Sequence, residues 1–232
     1  MLHWVRLLSL FALAGLVASP AAAVTIIDLF DEPPGGQSVT LTNPNAGDVS
    51  PNSVVTGLAG VAGGSRGLQL TAQDVFAGGS QASAEVNLDT SPGNFQLTNS
   101  IRIDSLVRIT WDGDGAGLNL DLSSLSDIVL QGVENDLSTT YKVVVSTDGG
   151  GSSELTLSPG AGFSGDLVFE FSSLVGSVDF ADIDSIVLEI DGARGADVII
   201  DAVVSTPEPT TAAALGLGLL GLGWLGRRRA RA

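Results

Sequence analysis

The sequence predicts an all-β fold: an antiparallel β-sandwich, jelly-roll-like, set between an N-terminal signal helix and a C-terminal single membrane-spanning helix. Three observations carry this expectation. Apolar and polar residues alternate with period 2 through most of the interior, Gly, Asn, Asp, Ser and Pro clusters separate the alternating runs, and uncharged apolar stretches are confined to the two ends.

The first element is MLHWVRLLSLFALAGLVASPAAA, with Arg6 ahead of an apolar run from Leu7 to Val17 and small residues at Ala21 and Ala23. This order of charge, apolar core and small residues predicts a signal peptide over residues 1–23, cleaved after Ala23, with the mature chain starting at Val24 outside the cytoplasm.

The strands follow in order. Thr25 to Phe30, Ser38 to Leu41, Gly67 to Ala72 and Ala82 to Leu88 are the first four candidates. In LVRITW, Val107, Ile109 and Trp111 share one face against Arg108 and Thr110. Ile128 to Val133 comes next, and in YKVVVS, Tyr141, Val143 and Val145 face together against Lys142 and Ser146. Glu154 to Leu157 is a short strand. DLVFEFS places Leu167, Phe169 and Phe171 inward, SIVLEIDG places Ile186, Leu188 and Ile190 inward, and Val198 to Val204 closes the series. EPPGG, SPGN, DGDGAG, TDGGG and SPGAGFSG supply turn geometry between them. Many short half-buried strands with such turns favour an antiparallel sandwich over a parallel α/β fold. At most one short helical turn is expected, around Ser172 to Asp184.

The last element starts at STPEPTT. Ala212 to Gly226 is uncharged and apolar, and as a helix it reaches only about 22 Å against a hydrocarbon core of about 30 Å. Five glycines weaken it further. Arg227, Arg228, Arg229 and Arg231 hold the extreme end on the cytoplasmic side, so the preceding domain faces outward. GLGLLG and GLGWLG both match a dinucleotide-binding pattern but lack its βαβ unit; packing against another membrane helix suits these glycines better.

Pro207-Glu208-Pro209, then an apolar segment of marginal length, then Arg227, Arg228 and Arg229, resembles the PEP-CTERM sorting signal of Gram-negative bacteria. The resemblance implies recognition by an exosortase, an integral-membrane transpeptidase resembling cysteine proteases. It also implies removal of the tail during export to the cell surface or its exopolysaccharide matrix. One departure is Thr206, where many members carry an aliphatic residue. The alternative is an ordinary C-terminal anchor with a proline linker. Gly63-Gly64-Ser65-Arg66, Trp111-Asp112-Gly113 and Phe180 to Ile186 also look like segments of the acidic β-sandwich ectodomains common on such proteins. The expected organisation is therefore a signal peptide over 1–23, an acidic ectodomain over 24–204 and a sorting tail over 205–232.

Composition narrows the chemistry. Residues 24–204 carry five basic and 25 acidic side chains, a formal charge of −20, so nucleic acid is not an expected partner. The chain has no cysteine, and its single histidine, His3, lies in the leader. The mature domain thus lacks the residues for a Ser-His-Asp triad, a Cys-His pair or a His-ligated metal. Carboxylate chemistry, chiefly glycoside hydrolysis, is what remains.

Several groups of side chains are site candidates. Asp112, Asp114, Asn119 and Asp121 offer oxygen ligands to calcium in a glycine-rich loop, although Ala116 and Ser123 break the EF-hand pattern and a solvated hairpin loop is the alternative. Asp179, Asp182 and Asp184 form a second acidic group, better suited to capping a turn than to pairing carboxylates. Arg66 suits a structural ion pair or a contact to an acidic glycan. Trp111 and Tyr141, which could serve as stacking platforms for sugars, fall on the apolar faces of their strands and are expected in the core. No cofactor is expected apart from calcium.

Together these readings predict an exported cell-surface or extracellular-matrix protein, associated with biofilm or exopolysaccharide. It is sorted and cut by an exosortase-type transpeptidase, is held at the inner membrane through its C-terminal helix before processing, and has a non-enzymatic structural or interaction role. The alternative is a carbohydrate-binding module for exopolysaccharide, and the third reading is a carboxylate-dependent glycosidase or lyase.

Overall fold

The computed structural model describes residues 23–33, 36–76, 80–87 and 93–207. Fifteen strands are found among them: β1 (Thr25–Asp28), β2 (Gln37–Thr42), β3 (Ser53–Thr56), β4 (Ser65–Val75), β5 (Gln81–Asn87), β6 (Asn94–Asn99), β7 (Ile103–Trp111) and β8 (Leu125–Asn135) come first. They are followed by β9 (Thr139–Ser146), β10 (Ser152–Leu157), β11 (Phe163–Glu170), β12 (Val175–Gly176), β13 (Ser185–Gly192), β14 (Asp197–Ile200) and β15 (Ala202–Pro207).

The strands form two antiparallel sheets. One has eight strands in the order β1-β15-β8-β14-β6-β5-β2, with β11 added on β8; the other has seven, in the order β12-β10-β9-β13-β7-β4-β3. The all-β class and the two antiparallel sheets of a sandwich therefore hold. The signal helix and the C-terminal helix fall outside the described residues, among which no helix is long and apolar enough to cross a membrane.

Period-2 patterning explains the core. In the seven-stranded sheet, Leu68, Leu70 and Ala72 of β4, Val107, Ile109 and Trp111 of β7, Tyr141, Val143 and Val145 of β9, and Ile186, Leu188 and Ile190 of β13 are all buried. Ala82, Ala84 and Val86 of β5, Phe95 and Leu97 of β6, and Leu167 and Phe169 of β11 do the same for the eight-stranded sheet. Each Val, Leu, Ile or Phe so buried contributes about 1.5–3 kcal/mol. Trp111 and Tyr141 are fully buried, as their strand faces require. Phe171 is the exception among the inward residues of its run: it leaves the strand for a 3₁₀ turn, Phe171–Ser173, is half-buried and stacks on Phe180 at 4.2 Å between centroids.

Three strands are absent from the pattern read in sequence, β3, β6 and β12, and one predicted strand is divided. The run from Val198 to Val204 breaks at Asp201, whose N–H donates to the Gln131 carbonyl at 3.0 Å, giving β14 and β15. Opposite the break lies Gly132 at φ +59°, where an added Cβ would meet the Asp201 carboxylate at 2.0 Å. Only glycine fits there. The helical turn expected within Ser172 to Asp184 is reduced to the 3₁₀ turn and is followed by β12, a two-residue edge strand on β10.

Candidate functional site

The outward face of the seven-stranded sheet holds a row of polar side chains fixed by strand register: Gln69 opposite Arg108, Arg108 opposite Glu189, Glu189 opposite Lys142, and Lys142 opposite Thr156. Arg108 Nη2 lies 2.5 Å from Glu189 Oε1, and Lys142 Nζ lies 2.7 Å from Glu189 Oε2 and 3.8 Å from Glu154. Burial pushes the Glu189 carboxyl up, but bonds from Lys142 and Arg108 outweigh it and hold the group below the ordinary glutamate value. The same contact raises Lys142 above the ordinary lysine value. A parallel row beside it runs Val54, Gly67, Thr110, Val187, Val144, Glu154 and Val175. The first row is polar and the second mostly apolar, and the described strand positions of this face include no aromatic ring.

Toward one end of this face, Asp104 lies opposite Asp74, with Asp191 diagonally placed on β13. Burial raises both Asp104 and Asp191, and the charges of Asp191 and Asp74 push Asp104 higher against the pull of Arg194. Arg194 is ion-paired with Asp74 and lies over the Phe76 ring, 4.4 Å from its centroid.

Arg66 is not at the surface. It is fully buried and ion-paired with Asp28: Nη1 is 2.8 Å from both carboxylate oxygens, Nε donates to Gln37 Oε1 at 2.8 Å, and Nη2 donates to the Glu32 carbonyl. The Trp111 indole N–H and the Phe30 backbone N–H also donate to Asp28, each at 2.8 Å. The structural ion pair is thus realised and a glycan contact by Arg66 is excluded. Desolvation raises the Asp28 carboxyl, and Arg66 and Trp111 oppose it. The network joins β1 and β2 of one sheet to β4 and β7 of the other, so it acts as an internal latch between layers.

The glycine-rich loop after β7 is a built turn. Asp112 is half-buried, while Asp114, Asn119 and Asp121 are exposed. Gly117 N–H donates to the Asp112 carbonyl at 2.8 Å and Leu118 N–H to the Asp184 carbonyl at 2.8 Å, and Leu120 and Ile183 exchange bonds at 3.0 and 2.9 Å. Asp121 Oδ1 accepts from the Ser123 N–H and hydroxyl at 2.9 and 2.7 Å, which lowers its pKa. Among the described residues, no group of three His, Cys, Asp or Glu is placed to hold a metal ion. In the second acidic group, Asp179 Oδ1 accepts from Ala181 N–H at 3.0 Å, the turn-capping bond that suits its spacing.

At the C-terminal end of the domain, β15 lies between β1 and β8 and continues to Pro207, which is half-buried. Ala23 is exposed; Ala21, Glu208, Pro209, Arg227, Arg228 and Arg229 lie outside the described residues.

Comparison with known structures gives similarity at low identity. A family 11 carbohydrate-binding module from Clostridium thermocellum, in complex with a β-1,3-1,4-mixed-linked tetrasaccharide, aligns at 13% identity and a TM-score of 0.43, covering 81% of this chain and 97% of that one. A family 29 carbohydrate-binding module complexed with mannohexaose aligns at 14% identity and a TM-score of 0.32, covering 74% and 94%. An exo-β-agarase aligns at 13% and 0.40, covering 60% of this chain and 23% of that one. No curated protein sequence matches. The tail does match a known signal: residues 205–229 fit the PEP-CTERM protein-sorting motif. The chain therefore carries a PEP-CTERM sorting motif that begins within the last strand of an acidic β-sandwich.

Proposed function

We propose that this protein is exported, sorted through its C-terminal motif and cut there, leaving an acidic β-sandwich as a non-enzymatic component of the cell surface or extracellular matrix. The observation that carries the reading is the sorting motif at residues 205–229, which starts inside the final strand of the domain. The jelly-roll-like layout, the signal peptide over residues 1–23 and the exosortase-type partner belong to the same reading. Support for a non-enzymatic role comes from residues 24–204, which have neither histidine nor cysteine, and from Arg66 and Trp111, which are spent on the internal latch. A formal charge of −20 over the same residues keeps neighbouring copies apart and the domain hydrated.

The test is cell fractionation and surface protease shaving in the native host, comparing the wild type with Pro207→Ala/Pro209→Ala. The reading expects wild-type domain peptides at the surface, without the Trp224 peptide, and retention of the variant in the inner membrane. Wild type held in the inner membrane with its Trp224 peptide contradicts it.

One surface favours a second reading, glycan binding. The row Gln69, Arg108, Glu189, Lys142 and Thr156 presents donors and acceptors of the kind that sugar hydroxyls can meet. A glycan array decides: binding lost in Arg108→Ala with an unchanged melting temperature supports it, and no binding by the wild type ends it.

A further inference from the structure

The first two residues of the sorting motif, Ser205 and Thr206, are tied by side-chain bonds to Ser126 and Asp127. The Ser205 hydroxyl, fully buried, donates to the Asp127 backbone carbonyl at 2.5 Å. Thr206 donates twice to Asp127 Oδ1, from its backbone N–H at 3.2 Å and its hydroxyl at 2.6 Å, and its carbonyl accepts from the Ser126 hydroxyl at 3.3 Å. The same Ser126 hydroxyl lies 2.9 Å from Asp127 Oδ2, so its one proton is shared between that oxygen and the Thr206 carbonyl. On the other side β1 closes the strand, with Thr25 opposite Ser205 and Ile26 opposite Val204. Residue 25 is the second residue of the mature chain expected from the leader, so the new N-terminal strand covers the strand that enters the sorting motif.

We propose that Ser126 and Asp127 form a clamp that sets where tail removal stops. It holds Ser205 and Thr206 in the sheet, so a sorting protease reaches the chain only from Pro207 onward, and the mature domain ends flush with its sheet instead of on a flexible tether. The inference rests on the reading that the tail is cut. Proteolysis needs an extended segment free on both edges, and residues 205 and 206 reach that state only by parting Ser205 from its β1 partner Thr25 and giving up the Asp127 and Ser126 bonds. Cutting breaks one peptide C–N bond. The acyl carbon passes to water or to an amine acceptor, and the tail leaves with the nitrogen and a proton. The clamp takes no part in that exchange, so Asp127 is a positioning residue whose effect is on the site of cleavage.

The experiment uses the full chain in detergent micelles, digested with proteinase K and read by intact mass, alongside amide exchange of residues 203–206. For the wild type, trimming of the tail is expected to halt within Thr206 to Glu208. Asp127→Ala should carry trimming past Ser205 and speed exchange of the Thr206 amide on the order of 10- to 100-fold, the loss that a charge-assisted hydrogen bond represents. Asp127→Asn keeps an acceptor oxygen and should restore most of the limit. Thr206→Val, which removes only the hydroxyl bond, should lie between, and it stands in if Asp127→Ala does not fold. The same ends are then mapped on protein from the native host, where a wild-type terminus at Pro207 or beyond is expected. Unchanged trimming and exchange in both Asp127→Ala and Thr206→Val overturn the clamp, whatever the host does. A host terminus short of Thr206, or retention of the tail, overturns the processing role whatever the clamp does.

Discussion

Replacing Arg66 with methionine removes the cation of the internal latch while keeping most of its apolar volume. The Asp28 carboxylate, fully buried, then keeps only the Trp111 and Phe30 N–H groups of its partners. Gln37 Oε1 and the Glu32 carbonyl lose their donor as well. Breaking a buried pair from one side costs about 3–5 kcal/mol, because the remaining charge stays uncompensated. For a domain of this size each kcal/mol lowers the melting temperature by about 2–4 °C, so a loss of roughly 6–20 °C is expected. Thermal and urea melts followed by tryptophan fluorescence suit the assay, since Trp111 is the single tryptophan in residues 24–207 and its N–H touches Asp28. Arg108→Met is the comparator. Its side chain is 52% exposed in a surface pair with Glu189, and it should cost no more than about 1 kcal/mol. A loss below about 1 kcal/mol in Arg66→Met, or equal losses in the two variants, refutes the latch.

Other consequences follow from the same structure. Glu189 titrates below its ordinary value of 4.5 in the folded state, so its stabilisation is complete above pH 4.5 and fades as pH falls through the lower folded value. Glu189→Gln should therefore flatten the acid limb of a stability-versus-pH curve, and an unaltered limb argues against the bridge. Asp104 is raised above 3.8 by burial and by Asp191, so its favourable contribution is complete below pH 3.8 and disappears as pH rises through the folded value. Asp104→Asn should raise the melting temperature at pH 7 relative to wild type, with the gap closing in acid; a lower value at pH 7 contradicts this. Gly117 has φ +82°, and an added Cβ would fall 2.0 Å from Asp184 Oδ1. Gly117→Ala should cost on the order of 1–3 kcal/mol by thermal melting, and a neutral result shows that the loop does not need this close approach.

The sandwich was legible because alternation survives wherever one sheet face is buried. β13 matches its predicted span from Ser185 to Gly192, and every inward residue read from β7 and β9 is buried. β3 escaped because SVVT is only four residues long and Val54 is 44% exposed, so its apolar content has no single face. β6 carried a usable signal, Phe95 and Leu97 alternating with polar residues. The break at Asp201 depends on what faces it across the sheet, Gly132, about 70 residues away in sequence, which local periodicity cannot express. Arg66 was half-legible. It is in phase with Leu68, Leu70 and Ala72, which puts it on the inner face, but its partner Asp28 is 38 residues earlier and on the other sheet. The Asp127 clamp spans 79 residues and left no local trace.

Under the proposed function the acidic domain works after its tail is gone. Intact mass and terminal peptides of the protein recovered from the surface and medium of its native host test it most directly. The expected chain starts at Val24, ends close to Pro207-Glu208-Pro209, and has lost Trp224 with the arginine cluster. Recovery of a chain that still carries Trp224 and Arg227 to Arg229 contradicts it and makes the tail an anchor.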